Sequence, residues 1–358
     1  MAHFDVLVRR LDAVEPHPNA DRLDLAVVGG YRAVVGKGQF QTGDLIAYLP
    51  EASVLPHALI AELGLTGKLA GPDANRIHAV KLRGALSQGV VMKAREGWVE
   101  GQSVMAELGV TKFEPEVPAE LKGNVYPLER EEGLTFDVEN IKLYPDLFSP
   151  GELVVFTEKV HGVFLAVGAA PQAQARTGCG HYQDRAWVSS KGLLAQRMAF
   201  DHRSDDEPNV YLRAAKQHAL YAPVMELADA TGQIVFVMGE AFGQGVQDLS
   251  YGGTSQAPGF RVFAIVVGDR YLDDEELEAT VTRMGLTRAP VLYRGPFSMK
   301  ALAEHTNGRE AVSGQECHLR EGVVITPVLE RQDMRVGRVA AKSVSEAYLL
   351  RKGGTEYS

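Results

Sequence analysis

A lysine stands where an apolar run ends, in Val154-Val-Phe-Thr-Glu-Lys-Val-His-Gly162. The run predicts a buried strand with Glu158-Lys159 at its exit. A lysine at a strand end can be desolvated and set beside other cations, which lowers its pKa and frees the neutral amine as a nucleophile. Gly162, three residues on, lets backbone approach a phosphate or nucleoside closely. Alone, Lys-x-x-Gly is an ordinary strand-to-turn element. Five more segments along the chain, in a fixed order, give it weight.

Trp187-Val-Ser-Ser-Lys-Gly192 predicts a strand ending in Lys191 near a turn, suited to a ribose or phosphate contact. Ile234-Val-Phe-Val-Met-Gly-Glu240 predicts a buried strand that stops at Gly-Glu, with Glu240 at its exit. Phe260–Val267 is a further strand, in which Phe263 offers a ring face to a base. Glu321-Gly-Val-Val-Ile-Thr326 carries a carboxylate at its mouth, and Gly337–Ser345 sets Arg338, Ala340 and Lys342 on one strand face by period two. Lysines, carboxylates and an aromatic ring gathered at strand ends make a site for an anionic nucleotide with a divalent metal.

This ordered set resembles the covalent nucleotidyltransferases: ATP-dependent RNA and DNA ligases and mRNA capping enzymes. Their six motifs are matched by Lys159-Val-His-Gly, Ser190-Lys-Gly, Gly239-Glu240, Phe263-Ala-Ile, Glu321-Gly-Val-Val and Ala340-Ala-Lys342. Thr157-Glu-Lys-Val-His-Gly, Lys342-Ser-Val-Ser and an OB-like segment in front are most similar to the Deinococcus-type RNA ligases, the fifth RNA ligase family. The sequence departs from the wider pattern at three places. His161 stands where aspartate usually precedes the glycine, and Lys191 replaces the more frequent arginine, giving a point charge rather than a fork. Ala340 replaces the first lysine of the last motif.

The resemblance implies an ATP-dependent RNA ligase. Lys159 is the catalytic nucleophile, forming lysyl–AMP, passing the adenylate to an RNA 5′-phosphate and sealing it to a 3′-OH. ATP is held by Glu158, Lys159, His161, Gly162, Lys191, Glu240, Phe263 and Lys342, with Glu158 reading the adenine amino group, Glu240 the ribose and Phe263 stacking. Glu321 holds Mg²⁺ or Mn²⁺, while Arg83 and Arg338 are candidate RNA contacts. The expected substrate is RNA with 3′-OH and 5′-phosphate ends, as a nicked duplex, in RNA repair. A DNA ligase or capping-type enzyme shares the motifs, and a non-catalytic RNA-binding protein is the reading from another class.

Other elements must position these groups. The chain has 358 residues, 45% hydrophobic and 23% charged, which suits two domains and excludes a disordered chain. Its net charge of −9 excludes a basic nucleic-acid coat. The excess is concentrated: residues 114–150 hold 9 acidic against 3 basic side chains, while residues 1–113 hold 12 of each. Proline and clustered acid predict an acidic connector over 114–130, between a domain at 1–113 and a nucleotidyltransferase domain at 131–358.

In the first domain, strands are expected at 4–10, around a Gly29–Arg32 turn, at Leu45–Leu49, Ile77–Leu82 and Gly89–Met92, with one helix over Pro56–Leu65. Short strands, glycine turns and a single helix predict an OB-fold-like β-barrel. His17–Leu23 and Leu82–Gly89 resemble signatures of OB-fold tRNA-binding domains; the structural alternative is that Asn19, Asp21, Gly84 and Gly89 only shape turns. Tyr31 or Phe40 would stack on a base and Arg83 lie near phosphate. The overall class expected is α+β, an OB-fold-like barrel followed by antiparallel sheets with flanking helices. Two cysteines make no disulfide framework, and no apolar run approaches the ~18 residues of a membrane span. The start lacks a signal-peptide pattern, so a cytoplasmic protein is expected; a monomer is expected besides.

Overall fold

The computed structural model describes residues 4–113, 122–203, 209–253 and 257–351. These divide into two compact units, one of 4–113 together with 140–145, the other of 122–139 and the described residues from 146 to 351.

In the smaller unit, Leu7–Arg10, Leu45–Leu49 and Val90–Lys93 form one antiparallel sheet, and Ala13–Pro16, Leu23–Val28 and Tyr31–Gly36 form another. The turn expected over 29–32 is only Gly29-Gly30, because Tyr31 and Arg32 already pair with Val28 and Val27. Gly29 has φ +59°, and a Cβ on Gly30 would lie 2.6 Å from the Lys142 side chain, so both positions require glycine. The helix is shorter than expected, His57–Glu62, burying Leu59 and Ile60; Pro56 stands extended at its N-terminal boundary, and Gly64 turns left-handed behind it at φ +65°.

The two tRNA-domain-like signatures meet. The buried His17 ring lies 3.1 Å from the Leu82 carbonyl through Nε2, and its Nδ1 accepts from the Asn19 amide at 3.1 Å. Arg83 and Gly84 make the tip of the hairpin Val80–Leu82/Ala85–Ser87, where Arg83 is exposed with φ +49°. Phe40 is only 4% exposed among Val28, Ile46 and Tyr48, so it is a core residue and has no face for a base. Tyr31 stacks instead on Tyr48 at 5.4 Å, with Lys142 Nζ 5.4 Å from the centre of its ring.

The larger unit holds two five-stranded antiparallel sheets with flanking helices. One runs in the order 139–140, 341–344, 322–327, 153–158, 291–296; the other in the order 186–190, 163–169, 235–242, 259–267, 270–271. In the second sheet, alternate residues of Val163–Ala169 face opposite cores. Val163, Leu165 and Val167 meet helices Val210–Gln217 and Tyr221–Thr231. Ala166 faces Trp187, Phe236, Tyr126, Leu128 and Phe136.

That second core corrects the connector. Residues 114–121 lie outside the described residues, but Val125–Pro127 pairs with Met198–Phe200, and Tyr126 and Leu128 are buried. Apolar residues between the acidic clusters cover a sheet face, so this unit starts before residue 131.

Two further strands differ from expectation. Val235–Phe242 continues through Glu240 rather than ending there, and Gly337–Ser345 is broken into Gly337–Arg338 and Ala341–Val344. Arg338 therefore pairs with Gln332, in a different hairpin from Lys342, and does not share its strand face.

Candidate active site

The strand Leu153–Glu158 belongs to the first sheet and Val163–Ala169 to the second, so Lys159-Val-His-Gly162 is the four-residue crossing between them. The crossing is tightly held. The Lys159 amide donates to the Gly322 carbonyl at 3.0 Å, and the His161 amide to the Tyr251 hydroxyl at 2.6 Å. A Cβ on Gly162 would run into the Ala241 carbonyl, which explains the glycine.

Lys159 Nζ lies 2.6 Å from Glu321 Oε1; the lysine side chain is 26% exposed and the glutamate 8%. Glu321 precedes its strand, as expected. Burial raises its carboxyl, but the Lys159 ammonium and the His161 ring outweigh this and hold it below the usual glutamate value. Its Oε2 is buried without a hydrogen bond, 3.7 Å from His161 Nδ1.

Glu158 is 2% exposed. Its Oε2 accepts from the Ala311 amide at 2.7 Å, and its Oε1 has no partner. Desolvation pushes this carboxyl up to about 7, against the pull of the Ala311 amide and Arg320. Glu240 is half-buried and pushed up to about 8, again chiefly by desolvation, with Lys159 opposing. Lys342 moves the other way, down to about 8, because it is desolvated and faces the charges of Lys159 and Lys191. Lys191 does not end a strand; it opens the short helix Lys191–Ala195 behind the Ser190 cap and pairs with Asp137 at 3.1 Å. Lysines 159, 191 and 342 thus converge with Glu240 and Glu321.

Phe263 owes its placement to a β-bulge. Met238 pairs with Ala264 and Gly239 with Val262, which leaves Phe263 without an opposite residue. A bulged residue is re-aimed relative to its sheet. Its half-buried ring packs on Phe136 and Phe164, at 5.2 and 5.8 Å, and against the cluster containing Val160.

Arg338 is not brought to this site as a free cation. Its guanidinium pairs with Glu330 at 2.5 Å and lies 4.1 Å from the centre of the Tyr271 ring. Arg83 belongs to the other unit. Sequence reasoning missed Asp248, Tyr251, Ala311 and Tyr348, which touch Glu158 or His161 from 87 to 187 positions away. No local spacing marks such contacts.

A model of RNA ligases matches residues 152–344, a span that contains Lys159, Lys191, Glu240, Phe263, Glu321 and Lys342. The chain belongs to the RNA ligase family. In the ligase, a model of an OB-fold domain matches residues 6–94, which fits the small barrel-like unit. Among solved structures, an RNA ligase of Naegleria gruberi with PPi is similar at 20% identity and TM-score 0.77, covering 97% of this chain and 98% of that one. An apo variant of the same enzyme gives 20% and 0.78 over 98% of each chain. A variant with ATP and Mn gives 20% and 0.78 over 97% and 98%. No curated protein matches the ligase by sequence. No helix of the described residues is long and apolar enough to cross a membrane.

Proposed function

We propose that this ligase uses ATP and seals RNA 3′-OH and 5′-phosphate ends at nicks through a lysyl–AMP intermediate, in the Deinococcus-type branch. The observation that carries the reading is Lys159 at the sheet crossing, 2.6 Å from the buried Glu321 and within electrostatic reach of Lys342 and Glu240. The Naegleria gruberi enzyme, with ATP and Mn in one structure and PPi in another, supports a nucleotide chemistry that releases pyrophosphate.

Lys159 Nζ attacks the α-phosphorus of ATP; a P–N bond forms, and the bond to the pyrophosphate oxygen breaks. An ammonium cannot attack, so Lys159 must first release one proton to water, which also ends its ionic pairing with Glu321. Glu158 Oε1, buried and without a partner, is ready to accept the adenine amino group. Glu240, with a carboxyl near 8, can donate to one ribose hydroxyl as well as accept from another. Phe263 offers its edge of the aromatic cluster to the base. Lys191 and Lys342 meet the phosphates, while Gly162 serves the close approach of the Ala241 carbonyl that keeps the crossing in place.

The donor set fits a divalent ion only in part. Glu321 Oε2 is a buried, unpaired oxygen, yet no group of three or more His, Cys, Asp or Glu among the described residues forms a complete cage. That suits Mg²⁺ or Mn²⁺, which lean on one or two carboxylates and complete their shell with phosphate oxygens and water. A bound ion there would neutralise developing phosphate charge. In the OB unit, the exposed hairpin tip at Arg83 is the proposed RNA contact.

The test is labelling with α-³²P-ATP. The wild type should become covalently labelled with release of pyrophosphate, and Lys159→Ala should not. A labelled Lys159→Ala protein would refute the assignment.

A further inference from the structure

The family match ends at residue 344, but the chain continues into the site. The Ser345 amide donates to the Glu321 carbonyl at 2.8 Å, and its hydroxyl caps the helix Glu346–Leu349 and meets Asn307 at 3.0 Å. Tyr348, fully buried, brings its hydroxyl to 2.7 Å from His161 Nδ1. On the opposite edge of the ring, His161 Nε2 lies 2.7 Å from Asp248 Oδ1. Arg351 then closes the arrangement. Its guanidinium reaches both Asp248 oxygens at 3.2 and 3.3 Å and lies 3.6 Å from the centre of the Tyr348 ring.

Both nitrogens of a ring only 3% exposed are therefore engaged, by residues from two distant parts of the chain. A carboxylate only accepts, so the Nε2 edge donates to Asp248. The Nδ1 edge, held by Tyr348, is also the edge that faces Glu321 Oε2 at 3.7 Å, while Glu321 Oε1 holds Lys159. The imidazole, held on both edges, thus forms one wall against the carboxylate beside the nucleophile.

We propose that Ser345–Arg351 is a clasp that orients His161, with Tyr348 as its central positioning residue and Asp248 as its counterpart. It acts through His161 and touches none of the groups assigned to the adenine or ribose. The inference rests on the ligase reading, because the consequence of a misoriented ring is slow attack by Lys159.

The experiment has two arms. In single-turnover labelling with α-³²P-ATP, Tyr348→Phe should lower the rate constant of Lys159 adenylylation about tenfold, the scale of one lost hydrogen bond at a reacting site. The burst amplitude and the ATP half-saturation should stay at wild-type values. In the nucleotide-free protein labelled with ¹⁵N-histidine, Tyr348→Phe should move the His161 Nδ1 resonance, and Asp248→Asn the Nε2 resonance. Unchanged resonances with a wild-type rate constant would overturn the clasp. A reduced amplitude with an unchanged rate constant would do the same, since that is the mark of a structural role alone. Should Tyr348→Phe fold poorly, Asp248→Asn reads the same rate constant from the other edge of the ring. If the wild type forms no adduct, the ligase reading falls, while the ring resonances still report on the clasp.

Discussion

Glu240→Gln should make the protein more stable at alkaline pH. The folded environment raises the Glu240 carboxyl from 4.5 to about 8, chiefly by desolvation. Between those values the folded state keeps a proton that the unfolded chain has released, so stability falls as pH rises from 4.5 and levels off above 8. Taken whole, a shift of about 3.5 units corresponds to a ceiling of about 5 kcal/mol. The side chain is only half-buried, and screening by water reduces this to about 2 kcal/mol. Glutamine resembles the protonated acid in shape and cannot ionise, so the variant escapes the penalty. For a unit of this size, 2 kcal/mol is about 4–8 °C in Tm. Melting curves followed by near-UV circular dichroism from pH 4.5 to 9 should coincide at the acid end and diverge to that extent at pH 9. A variant less stable than wild type at pH 9, or a difference independent of pH, would show the desolvation argument to be wrong.

The same geometry makes four more outcomes testable. Glu321→Ala should slow metal-dependent adenylylation by about two orders of magnitude, measured by single-turnover labelling; unchanged metal dependence would count against its role. Asp274 holds Arg288 and Arg294 at 2.5 and 2.7 Å, and Arg288 is 8% exposed. Asp274→Ala should therefore cost about 2 kcal/mol in denaturant unfolding, because it leaves the buried Arg288 guanidinium with only the exposed Glu278 carboxylate, at 2.9 Å, as its ionic partner. The Asp274 carboxyl is held below its ordinary value despite the opposing effect of burial, so its contribution is present above the unfolded pKa and is lost as pH falls through the lowered one. Arg338→Ala should lower stability by about 2 kcal/mol without changing RNA affinity, since its guanidinium serves Glu330 and Tyr271. Arg83→Ala should spare adenylylation and weaken sealing of nicked RNA, with a smaller salt dependence of binding.

Much of the site is legible in the sequence because its residues lie at strand ends, where apolar periodicity breaks off at a charged residue. Lys159 and Glu321 are cases in which the expected strand and its observed boundary agree within a residue. Glu240 is legible as a site residue, but its strand runs on to Phe242 instead of stopping there; no local pattern announces the bulge opposite Gly239. Arg338 escapes the period-two argument, which assumes one unbroken strand. Val339 and Ala340 interrupt it and send Arg338 into another hairpin. The acidic stretch around 129–132 suggests solvent, yet Glu132 is 4% exposed and pairs with Arg176. Charge composition cannot foresee a distant partner.

The sequence by itself determined the chemical inventory: a nucleophilic lysine, glycine at the close approach, further lysines and the carboxylates, in an order that local strand patterns make readable. The tertiary structure alone decided how those groups behave. It buried Glu158 and Glu240 enough to raise their carboxyls, placed Lys342 among other cations, and closed Asp248 and Tyr348 on the two edges of His161. The physical reason is that residue type sets which proton or charge is available. Desolvation and pairing depend on neighbours that two antiparallel sheets bring together from across the chain.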